Sequence, residues 1–199
     1  MNNETLRAIH RFWFGGLAAP TTFPADKASI WFKRSAEIDR HIADTFGAYL
    51  PVAAKTEWDL TSLSREEQVG LVVLFDQFPR NLFRDSAEAF AFDGLARDIA
   101  GRLIAGGIER FHLIERNFLI LPFEHSEAVA DQDLSVYLMA ALVQAAPEDQ
   151  RDAYRGFLDF ATKHRDLIRK FARFPHRNAV LGRASTPEEI AFLKTGRGF

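Results

Sequence analysis

Cysteine is absent from this chain of 199 residues, which excludes disulfides, thiol nucleophiles, thiolate metal sites and iron–sulfur clusters. Long apolar runs are absent as well. A stretch such as Val69 to Phe75 falls far short of the roughly 20 residues that span a bilayer, so no membrane partner is expected. Met1-Asn2-Asn3-Glu4 shows no basic region leading into an apolar stretch, and a cytoplasmic location is the default expectation. An excess of one charge is missing too: 25 Lys plus Arg stand against 27 Asp plus Glu, a net of −2. Such a balance supplies no overall cationic field for nucleic acid. Lysine is scarce, with 6 residues against 19 arginines. Finally, no Gly-x-Ser-x-Gly elbow, Walker loop or Gly-x-Gly-x-x-Gly occurs, so serine-hydrolase, P-loop and Rossmann readings lack their carrying residues.

What is present is helix periodicity. Apolar residues recur at three and four between the Gly and Pro marks, and no segment alternates with β-branched enrichment. The pattern predicts an all-α fold without sheet, a compact array of antiparallel helix pairs forming a single domain over residues 1–199. Leu6, Ile9 and Trp13 share a face of a first helix that Gly15-Gly16 ends through a left-handed cap. A second helix is expected from Pro24 to Phe46, with Trp31, Ser35, Ile38, Ile42 and Phe46 on one stripe. Ser64 with Glu67, Asp85 with Glu88, and Thr186 with Glu189 read as capping boxes. Pro122 is expected to open a helix, and so is Pro147. Beyond Pro147, Ala153, Phe157, Phe160, His164, Leu167 and Phe171 form a coiled-coil-like seam with one polar member. Residues 151–183 carry a net charge of +6 against −8 for the rest. A solvated basic helix face beside an acidic one explains that polarity without an RNA partner.

Three polar strings exceed what a helix bundle needs: Asp76-Gln77-Phe78-Pro79-Arg80-Asn81, Pro122-Phe123-Glu124-His125-Ser126-Glu127, and Arg173-Phe174-Pro175-His176-Arg177-Asn178. Proline after phenylalanine ends a helix and leaves carbonyls that Arg and Asn can satisfy, so both Phe-Pro strings can be rigid corners with Arg–carboxylate forks. The same atoms could instead form a site. There, Asp76, Arg80, Asn81, Arg173, Arg177 and Asn178 would bind a small anionic molecule, while Glu124, His125, Glu127 or His176 manage a proton. On a regular helix Glu124 and Glu127 lie about 60° apart, whereas His125 points about 160° away from Glu127, so these three cannot share one metal ion. A metal would need His164 or His176 from elsewhere, and none is expected. His164 itself reads as a core histidine with a satisfied hydrogen bond.

The three strings, with Phe12-Trp13-Phe14-Gly15 and Trp31-Phe32, resemble a bacterial family known as domain of unknown function 924, from about residue 10 to the C-terminus. Phe75 and Ala172 stand where that pattern has leucine and glycine, and Ala172 suggests a helix that runs on without a left-handed residue. The resemblance implies an all-helical, tetratricopeptide-repeat-like fold and no established activity, and no cofactor is expected. No 34-residue repeat is visible. Two functions therefore stand beside each other: a pocket for a small anionic ligand, enzymatic or not, and a scaffold that grips a protein partner while the polar strings serve as structural corners.

Overall fold

The computed structural model describes residues 3–195; Met1, Asn2 and residues 196–199, part of the single-domain expectation, lie outside it. Among the described residues the chain is helical without strand. The helices are α1 (Asn3–Phe14), α2 (Ala28–Phe32), α3 (Ala36–Phe46), α4 (Leu50–Ala53), α5 (Arg65–Asp76), α6 (Phe78–Leu82), α7 (Asp93–Ala105), α8 (Leu113–Glu124), α9 (Val129–Ala145), α10 (Arg151–Phe171) and α11 (Pro187–Lys194).

Helix α5 forms the centre because its sequence offers no polar face after the first turn. Every residue from Glu67 to Asp76 is buried, against α1 on one side and α7 and α8 on others. Gly70 permits the α1 contact: a Cβ there would lie 2.2 Å from the carbonyl oxygen of Leu6. A buried polar knot fastens the same helices, with Glu115 of α8 accepting from Arg65 of α5 at 2.5 Å and pairing with His10 of α1 at 2.6 Å. Around this core, α8, α9 and α10 follow one another through short connections, and α9 packs between its two neighbours. The phenylalanines and Trp13 supply much of the packing, through edge contacts such as Phe14–Phe118 and Trp13–Phe78.

Several local expectations hold. Ser64–Glu67 and Thr186–Glu189 form complete capping boxes, and Gly15 is left-handed at φ 68°. Others fail for identifiable reasons. The helix expected across 24–46 is cut at Lys33, which is extended, and Ser35 is the N-cap of α3, its hydroxyl accepting from Ile38 N. Asp85 adopts φ 61° and pairs with Arg34, so it caps nothing; α7 begins only at Asp93. Pro122 lies inside α8 rather than opening a helix, since a proline near a helix C-terminus removes just one internal bond. Ala172 does take the left-handed conformation, φ 58°, and terminates α10. The α10 seam is rotated from the expected packing: Tyr154, Ala161, His164 and Ile168 are buried, while Phe160 is 52% exposed.

Candidate functional site

The end of α5 brings the first two polar strings together. Asp76, the last residue of α5, is fully buried, and Gln77 donates to its Oδ2 at 2.6 Å. His125, which caps α8, places Nδ1 2.8 Å from Asp76 Oδ1. A carboxylate only accepts, so Nδ1 carries the proton and the unprotonated nitrogen is Nε2. Arg80 turns back on α6 to donate to the Asp76 carbonyl at 2.5 Å and forks onto Asp93 at 2.8 and 3.0 Å. The third string enters through Arg177, which donates to the His125 carbonyl at 3.0 Å and lies 3.6 Å from Asp93. Its guanidinium is sandwiched between Phe90 and Phe174. Asp93 is the hub of this corner, yet no motif marks it in the sequence. An acidic residue at the start of a helix is too common to single out.

Glu124 and His125, neighbours in the chain, have opposite electrostatic fates. Glu124 is 3% exposed, and burial, aided by the Asp76 charge, pushes its pKa up to about 8. Burial and then Arg80 push His125 down. Burial works against the Asp76 carboxylate, but His125, Arg80 and Gln77 together hold it below the usual carboxylate range. His164 of α10 donates from Nδ1 to the Phe160 carbonyl at 2.9 Å and sits 3.1 Å from Glu124 Oε1. Its own pKa falls to about 3 through burial. Glu124 Oε2 has no hydrogen-bond partner among the described residues, which makes it the oxygen to carry the acid proton. The Glu-His-x-Glu string does not sit on one helix as supposed: Glu124 ends α8, and Glu127 lies in the loop before α9.

The remaining sequence candidates form a second corner. Glu127 accepts from Phe174 N at 2.7 Å and from the Arg183 fork at 2.7 and 3.0 Å. Arg173 forks onto Glu189 at 2.7 and 2.8 Å, and Asn178 donates to Glu189 and Ser185. His176 lies against Phe174, its pKa lowered to about 4 by burial and by Arg177. These residues tie the C-terminal segment to α11 and the α8–α9 loop.

A groove of about 1330 Å³ opens beside the first corner, between the end of α2, α6, α8 and α10. Glu124, His125, Arg80 and Asn81 line it, with Asp76 directly behind His125; Glu127, His176, Arg173, Arg177 and Asn178 do not. Its apolar wall is the displaced α10 seam, Phe157 and Phe160, joined by Trp31 and Phe32. The arginines at its edge are already engaged: Arg34 with Asp85, Arg80 with Asp93, and Arg84 with Asp39. Of the lysines, Lys163 lies over the Phe160 ring and Lys170 over the Phe171 ring. Lys33, Lys163 and Lys170, half of the chain's six, line the groove and form no ion pair among the described residues. At the back lies Asn117, 1% exposed, with neither side-chain atom hydrogen-bonded among the described residues. An amide directly before the apolar stretch Phe118–Phe123 was the sequence signal for it. Lys33, Lys163 and Lys170 carried none, because exposed charges follow no period. Among the described residues no group of three His, Asp or Glu side chains is placed to hold a metal ion. No helix there is long and apolar enough to cross a membrane.

Fold and site thus define an all-helical protein with a buried carboxyl–imidazole cluster at the side of an open groove. The chain belongs to a family of bacterial proteins of unknown function, DUF924, which matches residues 9–197. It is similar to a solved structure from Agrobacterium tumefaciens, the protein of unknown function ATU0120, with 34% identity and a TM-score of 0.81. That likeness covers 98% of this chain and 99% of the other. No curated protein matches.

Proposed function

We propose that the groove binds a small anionic ligand, with Lys33, Lys163 and Lys170 meeting its charge and Glu124 and His125 exchanging a proton with it. The observation that carries this reading is the opposed protonation of Glu124 and His125 at one wall of the groove. At pH 7 one is a neutral acid with its proton on an unpartnered oxygen, and the other is a neutral base held in a single tautomer by Asp76. Two adjacent groups driven apart in this way are the arrangement that acid–base chemistry requires. The anion-binding role passes from Arg80, Arg173 and Arg177, whose guanidinium groups are consumed by Asp93, Glu189 and backbone carbonyls, to the unpaired lysines. Arg80 and Arg177 act instead by positioning His125 and Asp93.

A thermal-shift screen with phosphorylated metabolites, nucleotides and carboxylates, on wild type and on the Lys163→Ala/Lys170→Ala double variant, tests this. A ligand present at one hundred times its Kd adds about 2.7 kcal/mol of stability. That gain should shrink in the double variant. No shift from any class of anion, or an equal shift in both proteins, would remove the reading.

A further inference from the structure

We infer that the ligand of this groove is an adenine nucleotide, with Asn117 hydrogen-bonded to the edge of the base and Lys163 and Lys170 of α10 toward its phosphate. The inference rests on the anionic-ligand reading above and adds the neutral half of the molecule. Asn117 is the observation that points to such a half, because it lines the groove with both amide atoms unpaired. A buried amide with no partner at either atom is uncommon in folded proteins and costly to leave unmet. It needs a group that presents a donor and an acceptor side by side.

The placement of Asn117 limits what that group is. It precedes Glu124 by seven residues, so the two share one face of α8 about 10 Å apart. Arg116 is coupled electrostatically to Tyr154, and Glu124 contacts His164, so α8 and α10 run alongside each other in the same direction. Asn117 is therefore level with the Phe157 end of the groove, where Phe157 meets Phe32 with ring centroids 5.8 Å apart. Phe32 is 58% exposed, and a large ring left in water beside a groove offers a stacking surface. Toward the other end of α10 stand Lys163 and His164, about 10 Å on, then Lys170. The sequence of environments is a donor–acceptor amide among aromatic rings, then a neutral acid and base, then cations. Adenine satisfies the first environment: its N7 accepts and its N6 amine donates to one asparagine amide in a bidentate pair, while its faces stack on aromatic rings. Phosphate satisfies the last, since lysine binds it as a point charge. A fatty carboxylate would fill the apolar wall and meet the lysines but would leave Asn117 unpaired.

Titrations of the full chain, followed by calorimetry, distinguish these cases with AMP, ribose 5-phosphate, inorganic pyrophosphate and octanoate. AMP should bind at least tenfold more tightly than ribose 5-phosphate. Asn117→Leu should weaken AMP binding about tenfold, the range of one bidentate base contact, and leave pyrophosphate binding unchanged. Phe32→Ala, at a position 58% exposed, should weaken AMP by a similar factor and also spare pyrophosphate. Asn117→Leu should melt no lower than wild type, because it removes an unmet buried amide; a clearly lower melting temperature would make Asn117 structural and overturn its role. Equal affinity for AMP and ribose 5-phosphate, or tighter binding of octanoate, would overturn the nucleotide and leave the anion groove standing. Failure of all four ligands would remove both.

Discussion

Glu124→Gln should abolish a pH dependence of stability that the wild type shows between pH 6.5 and 8. Folding raises the Glu124 pKa from the ordinary 4.5 to about 8, so the folded state holds a proton there that the unfolded chain has released. The associated stability is complete below pH 4.5 and is lost as pH rises through 8. Each pH unit inside that window costs about 1.4 kcal/mol, or about 2 kcal/mol between pH 6.5 and 8. The shifted histidines act in the opposite sense and elsewhere. His164 falls to about 3 and His176 to about 4, so their contributions are lost as pH falls below 6.5. Arg177, lowered to about 10, acts only above the window. Glutamine keeps the shape of the neutral acid and cannot ionise. Urea denaturation followed by circular dichroism at pH 6.5, 7.0, 7.5 and 8.0 should show the wild type weakening and the variant level. Equal slopes in the two proteins would refute the buried neutral carboxyl and, with it, the acid half of the site.

Three further outcomes follow from packing and backbone geometry. Ala172→Gly should raise stability by about 1 kcal/mol, seen as a higher urea midpoint, because glycine adopts φ 58° without the Cβ clash that alanine carries. Gly70→Ala should cost about 3 kcal/mol in thermal denaturation, since its Cβ would press on the Leu6 carbonyl and force α1 away from α5. Arg177→Ala should also cost about 3 kcal/mol, since Asp93 and the His125 carbonyl lose a buried cation and Phe90 and Phe174 lose the group between them. An unchanged denaturation midpoint in that variant would show that the guanidinium is not holding this corner.

Local interactions were the legible part of the chain. Ser64 with Glu67 and Thr186 with Glu189 are capping boxes whose two hydrogen bonds close within three residues, so neighbouring sequence suffices to form them. Asp85 with Glu88 has the same spelling and does otherwise, because Arg34, distant in sequence, offers the Asp85 carboxylate a different partner. The α10 stripe was legible as a stripe but not as a groove wall. Periodicity shows that Phe157, Phe160 and His164 share a face, and nothing in it tells whether that face meets a helix or an opening. The three polar strings were visible, yet their division into a groove corner and a C-terminal tie was not.

By itself, the sequence determined the helical class, several helix ends, the want of sulfur chemistry and the three strings that mark the family. These depend on periodicity, caps and composition, all of which act over a few residues. Only the tertiary structure decided which base meets which carboxylate: His125 pairs with Asp76 across 49 positions, and Arg183 with Glu127 across 56. It also decided that the arginines at the groove edge are spent on carboxylates while three scarce lysines there form no ion pair among the described residues. The physical reason is that an ion pair is fixed by where packed helices bring two side chains, and burial, which lifts Glu124 and lowers His164, exists only after that packing.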